Sequence, residues 1–132
     1  MKEKRIKGEA YYKILFLIAG FYDFVLGASF LFFYRPLFNL MNMSIPSNPS
    51  YLTFSALVIM FFGIFLFMIS LDLRGAKRMI IFAIFIKFSY IITVVYYFLI
   101  NSSYVDFPFR LFAFFDFIFM FLFLESLRFI RD

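Results

Sequence analysis

Four apolar stretches of about twenty residues alternate with short polar ones along this chain. They cover 14–34, 51–71, 79–100 and 107–126. Twenty residues at roughly 1.5 Å each cross a hydrocarbon core of about 30 Å. The pattern predicts an all-α polytopic membrane protein, an antiparallel bundle of four transmembrane helices forming one domain over 1–132. Lipid offers no partner for backbone N–H and C=O groups, so helices must satisfy them internally. Short connections then set neighbours antiparallel.

Local signals place the ends. Arg35-Pro36 should close the first helix, because the residue before proline avoids the α region. Pro36 can open a short interfacial helix over Leu37, Phe38, Leu40 and Met41. Pro46 and Pro49 mark a loop, and Ser50 is a candidate N-cap for the second helix. Asp72 to Arg78 is a turn. Asn101 to Asp106 is a polar loop, and Pro108 suits a first helical turn. The basic head, Met1 to Lys13, resembles the start of a signal peptide. The apolar run behind it is too long for one, and no small-residue cleavage site follows.

Three charges interrupt the apolar pattern: Asp23, Lys87 and Asp116. Lys87 lies nine residues after Arg78, Asp116 nine before Glu125, and Asp23 ten after Lys13. If those flanking charges mark one membrane face, all three groups sit about 14 Å beneath it. A charge there costs on the order of 3 kcal/mol unless answered. One ammonium and two carboxylates at one depth predict a polar cluster. Tyr90, one turn from Lys87, can hydrogen-bond within it. Gly20, Asp23 and Gly27 share a face of the first helix, so a neighbouring helix can approach closely beside the carboxylate. Ala56, Gly63 and Ser70 repeat every seven residues in the second helix and predict a small-residue seam.

Composition narrows the chemistry. The chain is 65% hydrophobic, against nearer half for a soluble domain, so much of its surface must face lipid or protein. Cys and His are absent. That removes disulfides, thiolate metal sites, histidine haem ligation and the usual neutral-pH acid/base residue. No cofactor or metal site is expected. No nucleophile has a base at a diagnostic spacing, so the chain does not read as an enzyme. The net charge of +5 belongs to the flanks of apolar segments rather than to a nucleic-acid surface. Ten of the 13 Lys and Arg residues fall in the head, the 72–78 turn and the tail, and only Arg35 and Arg110 fall in the other connections. By the positive-inside rule both termini are cytoplasmic. The partners expected are the lipid bilayer and a homo-oligomer or larger membrane complex.

Function then has three readings. The charges can be a structural lock that fixes helix register. They can form a site that binds or moves a small molecule, since two carboxylates against one ammonium leave a charge for a proton or polar solute to answer. Or the chain is an accessory subunit, with the polar core as scaffold.

Several short pieces resemble a group of small bacterial four-helix membrane proteins, loosely DoxX-like. They are Tyr22-Asp23 with Leu26-Gly27 and Phe30-Leu31-Phe32-Phe33, then Pro36-Leu37, the Pro46 to Pro49 loop and Tyr51. Asp72-Leu73-Arg74, Lys87 with Tyr90, and Asp116 with Leu122-Phe123 follow. The resemblance implies a four-helix bundle in a bacterial inner membrane and little about activity. Small multidrug exporters also have four helices and a membrane carboxylate on the first. This chain departs from them in its core lysine, its lack of Trp and its charge bias.

Overall fold

A computed structural model describes residues 2–131; Met1 and Asp132, the outermost residues of the basic head and the tail, lie outside it. The chain is all-α. Its four long helices are α1 (Lys2–Leu40), α2 (Ser50–Leu71), α3 (Lys77–Ile100) and α4 (Phe107–Arg131). Short 3-10 turns at Arg74–Ala76 and Ser102–Tyr104 precede α3 and α4. All four helices are long and apolar enough to cross a membrane. They group as two compact units, Met1–Leu71 and Asp72–Asp132.

The distribution of side chains is inverted relative to a soluble protein. Phe21, Phe32, Phe54, Phe85 and Phe107 are each at least 65% exposed, whereas Ala19, Asp23, Ala83, Lys87 and Ser126 are buried. Exposing a large apolar side chain to water costs about 1.5–3 kcal/mol, and a patch this extensive is untenable in water. In lipid it costs nothing. Four crossings with apolar exteriors make this a multi-pass membrane protein.

Helix α1 is longer than the apolar pattern suggests. It begins at Lys2 rather than near Ile14 and continues to Leu40. Once the apolar part has formed, adding a turn outward needs no new nucleus. An i,i+4 pair, Glu9 with Lys13 at 3.7 Å, supports the extension. The 39 residues span roughly 58 Å, so the basic turns stand clear of the hydrocarbon.

The break expected at Arg35 falls instead at Phe33, which leaves helical geometry at φ −129°, ψ 30°. Pro36 explains the offset. Its ring collides with the carbonyl four residues earlier, and it has no N–H to offer there. The distortion therefore appears upstream, and the short helix after it ends at Leu40. The end is a Schellman motif: Met43 N–H donates to Phe38 O at 2.8 Å and Asn42 N–H to Asn39 O at 3.2 Å. Asn42, at φ 56°, takes the left-handed position that asparagine tolerates.

Three other boundaries move slightly. Ser50 is the first residue of α2 rather than its cap: its N–H donates to Asn48 Oδ1 at 3.3 Å, and Pro49 O accepts from Thr53 N–H at 2.9 Å. Helix α3 starts at Lys77, two residues before the expected Met79. Helix α4 continues past Ser126 to Arg131. The Ser126 hydroxyl donates back to Phe123 O at 2.6 Å, which satisfies it inside the helix instead of ending it.

Within the first unit, α1 and α2 run antiparallel along the small-residue seam. A Cβ on Gly20 would lie 2.7 Å from Gly63 O, and one on Gly63 would lie 2.5 Å from Gly20 O. Seven residues along each helix, a Cβ on Gly27 would meet Ala56 O and Met60 N at 2.6 Å. Backbones touch where the side chains vanish. Ala56, Gly63 and Ser70 are all buried on α2, as their spacing predicts.

Candidate functional site

The second unit holds a buried ion pair. Lys87 Nζ donates to Asp116 Oδ1 at 2.8 Å. The residues are 2% and 9% exposed. Lys87 shares the inner face of α3 with Ile80 and Ala83, and Asp116 shares that of α4 with Ala113 and Phe123. The helices are antiparallel, so each position on α3 has one counterpart on α4. Lys87 meets Asp116, and Arg74 just before α3 meets Phe129, its guanidinium carbon 5.6 Å from the ring centroid.

Phe119, one turn beyond Asp116, lies under the ammonium, its ring centroid 5.6 Å from Lys87 Nζ. The ring's negative face adds a second answer to the charge without adding a charge. Sequence reasoning did not assign Phe119 a role, although its i+3 spacing from Asp116 was visible. Among 26 phenylalanines that spacing carries no distinction.

Tyr90 sits one turn from Lys87, as expected, but its hydroxyl turns elsewhere. It donates to the backbone carbonyl of Phe109 at 3.0 Å. The bond ties the two helices together on the side of the pair toward the 101–106 loop. A carbonyl has two lone pairs, so this bond need not displace the helical one. A backbone acceptor leaves no mark in sequence, so this contact was not foreseeable.

At that end Arg110 closes the connection. Its Nε donates to Val105 O and one terminal nitrogen to Ser102 O, both at 2.8 Å. The guanidinium carbon lies 4.9 Å from the Phe98 ring centroid. Asn101 Oδ1 accepts from Ser103 N–H at 3.0 Å. Asn101 thus serves as a turn former.

Ala83, Lys87, Tyr90, Val94 and Tyr97 share one face of α3 by spacing, and that face is only partly inside. Ala83 and Lys87 are buried, Tyr90 and Val94 intermediate, and Tyr97 is exposed. The other expected site residue, Asp23, is buried at 3% exposure in the first unit. It lies on the stripe of Gly20 and Gly27 that meets α2. In the second unit Lys87 pairs with Asp116 and has Phe119 as an aromatic neighbour, and Asp23 is a further buried carboxylate on α1. Among the described residues no group of three or more His, Cys, Asp or Glu side chains is placed to hold a metal ion.

No protein-family model matches the chain, and no curated protein and no solved structure matches it.

Proposed function

We propose that the protein binds or moves a small polar or charged molecule at the membrane midplane, with the Lys87–Asp116 pair as the recognising element. The observation that carries this reading is the pair itself: a 2.8 Å contact, about ten residues inside α3. An ion pair in hydrocarbon is costly to keep, and an apolar pair of similar volume packs helices as well or better. Retaining both charges favours a role that needs them. Asp23 is a further buried carboxylate, on α1, and in this reading a second intramembrane group able to exchange a proton.

The test is a thermal-shift screen of the purified protein against amino acids, sugars, nucleosides and small organic cations. A compound that raises the melting temperature of the wild type, and not that of Asp116→Asn or Lys87→Gln, supports the site. The second reading is a structural lock in an accessory subunit, favoured by the Tyr90–Phe109 bond, which ties together the same two helices as the pair. It predicts that no compound shifts the wild type and that mild-detergent purification recovers a partner in fixed ratio. The proposal also places the protein in a bacterial inner membrane, both termini cytoplasmic, as a relative of the DoxX-like group. The charge bias supports the orientation, and the quoted sequence pieces support the kinship.

A further inference from the structure

One groove in the first helix pair opens to the outside. Its floor is the Gly20–Gly63 crossing, where the backbones touch and no side chain stands. Its walls include Leu17, Phe21, Phe24 and Phe67, and its volume is about 360 Å³. That is within the range of small-ligand sites, roughly 300–1,000 Å³. The wall side chains carry no polar atom, so the groove suits a hydrocarbon chain. Phe21 is 71% exposed and Phe67 47%, so the mouth faces the region where lipid chains lie.

The residues above the groove are of opposite character. Lys13 shares a face with Leu17, Phe21 and Phe24, at steps of four, eight and eleven residues. Gly20 lies seven residues deeper than Lys13, about 10 Å. That separation is shorter than one leaflet's depth, about half of a 30 Å core. Beyond Lys13 the same helix carries Lys2, Lys4, Arg5 and Lys7, against the carboxylates Glu3 and Glu9. Glu9 lies 3.7 Å from Lys13, whose side chain stays 41% exposed. Cations outnumber carboxylates five to two over these turns.

We propose that α1 and α2 bind one anionic phospholipid, its headgroup phosphate at Lys13 beneath the basic turns and one acyl chain in the groove. The choice of occupant rests on charge complementarity. The groove alone accepts any chain, and the cations above it select the headgroup. This inference is independent of the Lys87–Asp116 site, and it holds whichever leaflet that end of α1 occupies.

The chain contains no Trp, so Phe21→Trp installs a single indole at the mouth of the groove. The protein is placed in phosphatidylcholine nanodiscs, and lipids with brominated chains are titrated in. Brominated phosphatidylglycerol should half-quench the indole at a mole fraction about fivefold lower than brominated phosphatidylcholine, the factor one lysine at an anionic surface supplies. Adding Lys4→Gln, Arg5→Gln, Lys7→Gln and Lys13→Gln should abolish that preference. Phe85→Trp on α3, also exposed and seven residues past Arg78, should show none. Equal quenching by both lipids at Phe21→Trp, a preference that survives the four Gln substitutions, or an equal preference at Phe85→Trp would each overturn the proposal. Lys4, Arg5, Lys7, Phe21 and Phe85 are exposed and Lys13 is half-buried, and a melting curve of each variant confirms that it is folded before quenching is read.

Discussion

Lys87 is the residue whose environment departs most from its chemistry. A lysine normally keeps its ammonium in water, and here the whole side chain is 2% exposed. Asp116 and the Phe119 ring replace the lost water, one with full charge and one with a quadrupole. Tyr90 holds the same two helices by a neutral bond, so its loss should be smaller. Tyr90→Phe should cost about 0.6–1.7 kcal/mol, the range for interhelical hydrogen bonds in membranes, read as a lowered melting temperature in detergent. A variant as stable as the wild type would mean the Phe109 carbonyl gains nothing from the hydroxyl. The carboxylates and the lysine were legible in sequence because a charge inside an apolar run is conspicuous. Their pairing on α3 and α4 followed from depth. Tyr90's true acceptor and the ring beneath Lys87 were not legible. One is backbone, and the other is one phenylalanine among many with the same composition signal.

At the scale of helices, opposing preferences can be weighed by sign. Replacing a helical glycine by alanine normally gains up to about 1 kcal/mol in propensity. At Gly27 the new Cβ would lie 2.6 Å from backbone atoms of Ala56 and Met60, which cannot yield as a side-chain tip can. Overpacking of this kind costs about 1–3 kcal/mol, so Gly27→Ala should destabilise the fold. A neutral or stabilising result, measured by the same melts, would show that α1 and α2 separate easily there. The seam was readable from spacing alone, since Ala56, Gly63 and Ser70 recur at seven residues. The boundaries were less so. Apolar runs mark what lies in lipid, whereas helices continue wherever propagation is favourable, as α1 does toward Lys2 and α4 toward Arg131. The Phe33 break shows a second limit. Pro36 is visible in sequence, but its steric effect acts one turn upstream.

For the molecule as a whole, the four crossings and the uneven placement of Lys and Arg make a topology testable with the chain's own composition. It has no Cys, so single cysteines report cleanly. Ser47→Cys and Tyr104→Cys should react with an impermeant maleimide in intact cells. Lys4→Cys and Arg131→Cys should react only after permeabilisation. The reverse pattern, or partial labelling at all four positions, would contradict the proposed orientation.

Lys87 and Asp116 depend on each other inside the membrane, and melting wild type, Lys87→Met, Asp116→Leu and the double variant in one detergent measures that dependence. Removing either partner takes from the other buried charge the 2.8 Å contact and should cost about 3–5 kcal/mol. The double variant, which leaves neither charge, should be more stable than both single variants. If the two losses simply add, the charges act independently, and the pair is neither a lock nor the core of a site.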